Sequence, residues 1–172
     1  VGHTLDEVGG RAGFDFLGFT VRQFPAGAAR TACNDRGRSP DFVTLIKPSR
    51  EAVRRQVASL REIVAGCTGA PQAALISRLN PVIRGWSNYY STGASKRTFS
   101  KVGHVLFGML WRWGVSRHRT RGKRWVMRKY WRAGEGERWS FALPGTSVVL
   151  DRHEKTRIVR HVKVQGARSP FD

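Results

Sequence analysis

The residues with the clearest chemical potential are basic. The 72 residues from 63 to 134 hold fourteen lysines and arginines and no aspartate or glutamate, within a 172-residue chain of net charge +19. A solvated surface normally mixes the two signs, because like charges repel each other. A block of one sign favours binding to a polyanion through phosphate neutralisation and counterion release, and nucleic acid is the usual one. An anionic membrane and a merely basic exterior are the alternatives.

Aromatic side chains are interleaved with this charge. Aromatic faces beside arginine can stack on unpaired bases. Helical spacing with leucine and valine is also typical of core residues, so we expect most of these side chains to be buried. The stretch contains Trp86, Trp111, Trp113, Trp125 and Trp131, with Tyr89, Tyr90 and Tyr130.

The sequence shows no recognisable catalytic arrangement. The acid-free stretch has no carboxylates for Mg²⁺, whereas polymerases and nucleases use paired carboxylates to hold their metals. No phosphate-binding G-x-x-x-x-G-K-[ST] loop or G-x-S-x-G elbow is present. Cys33, Cys67 and the five histidines lack the spacing of zinc ligands. We therefore expect a binding module with no metal, no cofactor and no catalytic activity of its own.

The N-terminal third must supply a support for this basic stretch. Alternation over residues 13–24 predicts a hairpin that turns at Gly18, and residues 25–41 have the composition of an exposed loop. Ser49 is the predicted N-cap of a first helix that ends at Gly66. Its predicted apolar face consists of Val53, Val57, Leu60 and Val64.

Helical spacing continues through the basic stretch. A second helical unit is predicted from about Pro71 to Tyr90, and Asn80-Pro81 predicts either two short helices or one kinked helix. A third helix is predicted over residues 98–118, with Val102, Val105, Met109, Leu110 and Trp113 on its apolar face. Its glycines, at 103, 108 and 114, are either sites of close packing or weak points.

The remaining elements complete the predicted fold. A basic loop at residues 117–124 leads to a fourth helix over 123–132, and short strands are predicted near 139–143, 147–150 and 158–164. The predicted fold class is mainly α, with an N-terminal β-hairpin, a basic helical bundle and a short β-leaning C-terminal tail.

Several runs resemble one protein family. Arg78-Leu-Asn-Pro-Val-Ile-Arg-Gly-Trp-Ser-Asn-Tyr-Tyr, Lys96-Arg-Thr-Phe-Ser-Lys-Val-Gly-His and Leu110-Trp-Arg-Trp closely resemble the maturase-specific region (domain X) of group II intron reverse transcriptase–maturases. Lys123-Arg-Trp-Val-Met-Arg-Lys-Tyr-Trp continues the resemblance. Gly13-Phe-Asp-Phe-Leu-Gly-Phe is similar to the last block of the polymerase palm, and Thr44-Leu-Ile-Lys-Pro-Ser to the entry into the thumb.

The resemblance implies four segments. Residues 1–43 correspond to the end of the palm, 44–70 to the thumb region and 71–134 to domain X. Residues 135–172 correspond to a tail leading toward a DNA-binding and H-N-H endonuclease region. The Y-A-D-D-type catalytic aspartates of the family are not found here and would precede Val1. Any Mg²⁺ would belong to that palm and to the intron RNA.

The resemblance also implies a function. Thumb and domain X grip the group II intron RNA, help it to reach its splicing-active fold, and support reverse transcription during intron mobility in full-length members. A DNA target and a separate palm-and-fingers chain are further candidate partners, and no membrane is expected. The predicted location is the cytoplasm, or an organelle in a eukaryote. The alternatives are half of a split reverse transcriptase and an inactive remnant.

The residues predicted to contact RNA lie on several elements. The thumb arginines would line one side of a nucleic-acid groove, and the loop at 117–124 is the strongest single patch. Tyr89 is the tyrosine expected to reach RNA, because Tyr90 continues the apolar stripe. The full set is Arg50, Arg54, Arg55, Arg61, Arg84, Tyr89, Lys96, Arg97, Lys101, Arg112, Arg117, Arg119, Arg121, Lys123, Arg124, Arg128 and Lys129.

Overall fold

The computed structural model describes residues 7–8, 11–25, 42–134 and 137–159. The predicted fold class is confirmed, because four helices dominate and short strands flank them. The strands are β1 (Glu7–Val8), β2 (Arg11–Ala12), β3 (Phe14–Phe16), β4 (Phe19–Pro25), β5 (Phe42–Pro48), β6 (Trp131–Gly134) and β7 (Glu137–Phe141). The helices are α1 (Arg50–Gly66), α2 (Gln72–Tyr90), α3 (Lys96–Ser116) and α4 (Lys123–Tyr130), followed by a 3₁₀ turn at His153–Lys155.

None of the helices in these described ranges is long and apolar enough to cross a bilayer.

The N-terminal hairpin belongs to a three-stranded antiparallel sheet of order β3-β4-β5. The hairpin turns at Leu17 and Gly18, as predicted, and Gly18 has a φ of 77° that favours glycine. The third strand was not predicted, although it pairs with β4 from Phe19 opposite Pro48 to Pro25 opposite Phe42. The predicted loop at residues 25–41 lies outside the described residues from position 26 onward.

Helix α1 begins and ends where the sequence predicts. The Ser49 hydroxyl accepts a hydrogen bond from the Ala52 amide at 3.1 Å, which caps the helix. The predicted apolar face packs on the core, with Leu60 and Val64 buried and Val53 and Val57 partly so, but the buried face also includes Ala52 and Gln56, which were not predicted. Ala52 lies in the small cluster with Tyr90 and Phe99, and Gln56 reaches His153, so tertiary partners decide the rotation.

Helix α2 is a single helix through Asn80 and Pro81, so of the two predicted alternatives the pair of short helices is wrong. The Asn80 side chain does not cap a helix. Its amide donates to the Val149 carbonyl at 3.0 Å, and its oxygen accepts from the Asp151 amide at 2.9 Å. These bonds join the middle of α2 to residues 149–156, which we call the C-terminal segment.

Helices α3 and α4 pack through a glycine. A Cβ atom at Gly114 would lie 3.1 Å from Val126 Cγ1 and 3.3 Å from Tyr130 Cδ2, so this glycine permits close approach of α4. Gly108 faces open space and has no such role. The predicted apolar face of α3 is buried at Val102, Met109, Leu110 and Trp113, with Val105 partly buried.

The segment after α4 is an antiparallel β6–β7 pair. The fourth helix is therefore shorter than predicted and ends at Tyr130, because Trp131 begins β6 and is buried. The strand predicted at 147–150 is reduced to one bridge between Ala142 and Val149. Residues 158–159 form no strand, and residues 160–164 lie outside the described residues.

A hydrophobic core joins the four helices to β6 and β7. It contains Leu75, Leu79, Leu110, Trp113 and Trp131, as expected for most of the aromatic side chains. The Trp113 indole donates to the Cys67 carbonyl at 2.9 Å, which fixes the turn after α1 beneath α3.

The core includes one neutral histidine. His153 is fully buried, and its Nε2 accepts a hydrogen bond from the Gln56 amide at 3.2 Å. Its Nδ1 has no hydrogen-bond partner among the described residues. Burial lowers the pKa of His153 to about 4, because desolvation penalises the charged ring.

We expect stability to fall in mild acid because of His153. The unfolded ring binds a proton below pH 6.5, but the folded ring does so only near pH 4. As the pH falls from 6.5 to 4, the unfolding free energy should therefore drop progressively, by about 3 kcal/mol in total. Urea unfolding at pH 7 and pH 4 should show the parent losing this amount relative to His153→Gln. The exposed His104→Gln variant is the control, and an equal loss in all three proteins would contradict the assignment.

Candidate nucleic-acid interface

The sixteen predicted contact residues other than Arg117 are exposed on the described surface. Six of them lie together in the loop before α4 and on α4 itself, and we call these the basic cluster. The loop contains hydrogen bonds from the His118 amide to the Val115 carbonyl and from the Arg121 amide to the His118 carbonyl. The members of the basic cluster are Arg119, Arg121, Lys123, Arg124, Arg128 and Lys129.

Trp125 lies among these cations and is 38% exposed. The Arg121 guanidinium lies 5.3 Å from the centre of its ring, and Lys129 Nζ lies 4.9 Å from it. Sequence analysis counted Trp125 only among the expected core aromatics. The spacing of Trp125 and Lys129 was the missed signal, because positions i and i+4 lie on one face of a helix, whereas Arg121 reaches the ring from the loop before α4. An exposed indole between cations can stack on a base while its neighbours contact phosphates.

His118 supports Trp125 from the loop. Its ring meets the indole edge-on at 4.7 Å between centroids, and its Nε2 shares a hydrogen bond of 2.8 Å with the Tyr130 hydroxyl. Desolvation first, and then Lys129, Arg117 and Arg121, lower the pKa of His118. At neutral pH the ring is therefore uncharged, and it positions Trp125 without adding to the positive field.

Arg117 differs from its neighbours because it is half-buried. Its Nη1 donates to the Thr68 carbonyl at 2.6 Å and to the Ala70 carbonyl at 2.9 Å. Its guanidinium also lies 4.7 Å from the centre of the Trp113 ring. Arg117 therefore joins the end of α3 to the turn between α1 and α2.

Two other predicted phosphate contacts also have partners within the chain. Arg84 forms a partly exposed ion pair with Asp151 at 2.5 Å. Lys96 Nζ donates to the carbonyls of Glu154 and Thr156, both at 2.8 Å. Both side chains thus hold the C-terminal segment against α2 and α3.

Tyr89 is half-exposed but tied to the hairpin. Its hydroxyl donates to the Leu17 carbonyl at 2.9 Å, and its ring stacks on Phe19 at 5.5 Å. Trp86, in the same run of sequence, packs on Tyr90 and Phe99. The aromatic signature at the end of α2 therefore builds the junction between the sheet and the helices.

The remaining predicted contacts lie on α1 and α3, outside the basic cluster. Helical geometry puts Arg50, Arg54 and Arg61 on one face of α1 and Arg55 on another. Arg54 has only a 3.9 Å pair with Glu51, which is highly exposed and therefore weak. On α3 the exposed bases other than Lys96 are Arg97, Lys101 and Arg112.

The described residues contain no group of three or more histidine, cysteine, aspartate or glutamate side chains that could hold a metal ion. The basic cluster provides positive charge beside the exposed indole of Trp125, an arrangement that can bind a polyanion.

Comparison with known families gives one match. Residues 53–131 match the model of the group II intron, maturase-specific domain. This match confirms the resemblance predicted from the sequence and extends from the first turn of α1 to the first residue of β6. No curated protein matches the chain significantly. The four predicted segments stay predictions, including the boundary between a thumb and domain X at residue 70.

We expect Arg117 to act on stability and Arg119 to leave it unchanged. Arg117→Ala removes two charge-assisted hydrogen bonds and should lower the unfolding free energy by about 2–3 kcal/mol. Arg119→Ala removes an exposed side chain and should change it by less than about 0.5 kcal/mol. Urea unfolding of both variants at neutral pH measures the difference, and equal stabilities would refute the structural role of Arg117.

Proposed function

We propose that this chain, which contains a group II intron maturase-specific domain at residues 53–131, binds group II intron RNA and helps it to fold for splicing. One observation carries the proposal. The matched segment covers nearly all of the acid-free stretch at 63–134, so the domain is also the most basic part of the chain. A folded intron crowds phosphates together, and a surface without carboxylates suits that field.

The basic cluster is the proposed centre of contact. Its six exposed cations would neutralise phosphates, while Trp125 would stack on an unpaired base. The exposed bases of α1 and α3 would extend the contact over a larger RNA surface. Arg117, Arg84 and Lys96 would contribute mainly by holding the fold.

The finer roles follow from the family. We propose that reverse transcription and intron mobility require a palm with catalytic aspartates, supplied by a longer chain or by a separate one. The described chain would then show no polymerase activity alone, and contact with a DNA target would belong to the complete protein. The proposed location is the cytoplasm or an organelle.

A second candidate is half of a split reverse transcriptase. The observation that favours it is the exposed apolar side chains of the sheet, with Phe14, Phe16 and Leu17 all more than half exposed and Ile46 nearly so. Such a patch is typical of a surface that another protein covers. Co-purification with a chain bearing a Y-x-D-D motif would support this candidate over an independent splicing module.

The test is a salt titration of binding to a folded group II intron RNA. An unrelated structured RNA of equal length and a duplex DNA serve as competitors. Intron-selective binding that survives ~0.2 M salt is expected, because recognition of RNA shape adds to the charge term. Equal binding to all three, with a steep salt dependence, would refute the proposal and favour an inactive remnant or an incomplete half.

The same titration tests the basic cluster. Arg119→Ala combined with Lys123→Ala should reduce the log–log salt slope by roughly 1.4–1.8, at 0.7–0.9 for each lost phosphate contact. Neither side chain has a partner among the described residues, so stability should not change. Lys155→Ala with Arg157→Ala removes the same charge elsewhere and is the matched control. An equal change of slope in both double variants would show that only total charge matters.

A further inference from the structure

A cavity of about 340 Å³ lies between α3, the β6–β7 pair and the 3₁₀ turn, and the proposed function does not use it. Its volume is within the range of small-molecule sites. The α3 wall includes Gly103 and Phe107, and the opposite walls include Trp131, Trp139 and Glu154. The cavity is therefore built from elements distant in sequence that the fold brings together.

The walls are aromatic and partly open to solvent. Phe107 is 41% exposed and Trp139 is 47% exposed, although both line a cavity. Phe107 packs against the buried Trp131 at 5.6 Å between ring centres. Arg152 Nη2 fixes the β7 wall by donating to the Trp139 carbonyl at 2.8 Å and to Ser140 Oγ at 3.0 Å. Aromatic side chains exposed at a cavity can stack on a flat ring.

The polar lining of the cavity includes two carboxylates, Asp151 and Glu154, together with Arg152 and His104. Asp151 is occupied by its ion pair with Arg84. Glu154 is half-buried, and its carboxylate has no hydrogen-bond or ion-pair partner among the described residues. A Cβ at position 103 would lie 2.6 Å from Glu154 Oε2, so Gly103 leaves room for the carboxylate against α3. Lys96 holds the Glu154 backbone in place through its carbonyl.

We propose that this cavity binds an unpaired nucleobase of the RNA, with a preference for guanine. The inference rests on the proposed RNA-binding function. Phe107 and Trp139 would supply the stacking surfaces. The Glu154 carboxylate can only accept hydrogen bonds, so it selects a base edge that donates.

Guanine fits this requirement best among the four bases. Its Watson–Crick edge carries two adjacent N–H donors, N1–H and the 2-amino group, which a carboxylate can accept together. Uracil has a single N–H between two carbonyl oxygens, and those oxygens would face the carboxylate unfavourably. An acid on a strongly basic RNA-binding protein lowers affinity for phosphate, so its value here lies in base selection.

Short single-stranded RNAs test the pocket separately from intron binding. We would measure affinities for an eight-nucleotide uridine RNA and for the same RNA with one central guanosine or inosine. The parent should bind the guanosine RNA roughly tenfold more tightly than the uridine RNA. Inosine should fall between them, because it lacks the 2-amino group.

Glu154→Gln should bring the guanosine-to-uridine ratio close to one without weakening binding to uridine RNA. Glu62→Gln, which removes an exposed carboxylate on α1, should keep the ratio and is the matched control. Trp139→Leu should weaken binding to the guanosine RNA more than to uridine RNA. Trp125→Leu should weaken both equally. Unfolding curves and retained binding to uridine RNA show that each variant is folded.

A guanosine-to-uridine affinity ratio of one in the parent protein would contradict the proposed base preference. A ratio that is unchanged in Glu154→Gln would contradict it as well. Intron-selective binding is measured separately, so neither result would contradict the proposed function. Conversely, loss of intron selectivity with a preserved guanosine preference would refute the proposed function and leave the pocket standing.

Discussion

The absence of carboxylates from residues 63–134 is the constraint on which the rest of the structure depends. A cation in this stretch can be solvated, or it can contact a backbone carbonyl or an aromatic face, but no carboxylate lies near it in the sequence. Arg117 donates hydrogen bonds to two backbone carbonyls and contacts the face of the Trp113 ring, while Arg121 and Lys129 lie over the Trp125 ring. Backbone carbonyls and indoles hold these side chains without cancelling their charge, so the surface remains positive after folding.

The segments outside this stretch supply what it lacks. Asp151 forms an ion pair with Arg84, and the carbonyls of Glu154 and Thr156 accept hydrogen bonds from Lys96. At the other end, the hairpin docks where Gly18 lets its backbone approach the Tyr90 hydroxyl, and Ser49 donates its amide to the Gly18 carbonyl. Burial, and then Tyr89, raise the pKa of Tyr90 at this junction.

The sequence predicts the elements well where a local signal decides them. Ser49 marks the start of α1 because its hydroxyl caps a nearby amide, and hydrophobic spacing alone outlines α3. The errors arise where a distant partner decides. Asn80 resembles a cap, but its amide is satisfied by a segment about 70 residues away, and Gln56 is buried only because His153 lies opposite. In the candidate site, the exposure of the bases could be predicted from the sequence. The structural role of Arg117 could not, because it depends on two distant backbone carbonyls that no sequence motif indicates.

The bonds from Asn80 to Val149 and Asp151 also set an order of events during synthesis. At 5–20 residues per second, about 4–14 s separate the emergence of Asn80 from that of its partners. Helices α2 and α3 are therefore available before the segment that covers them. In that interval the nascent chain presents its full positive charge while Arg84 and Lys96 still lack their partners. Closure of this long loop comes after the synthesis of α2 and α3 and carries an entropic cost, so the segment that covers these helices is added to them last.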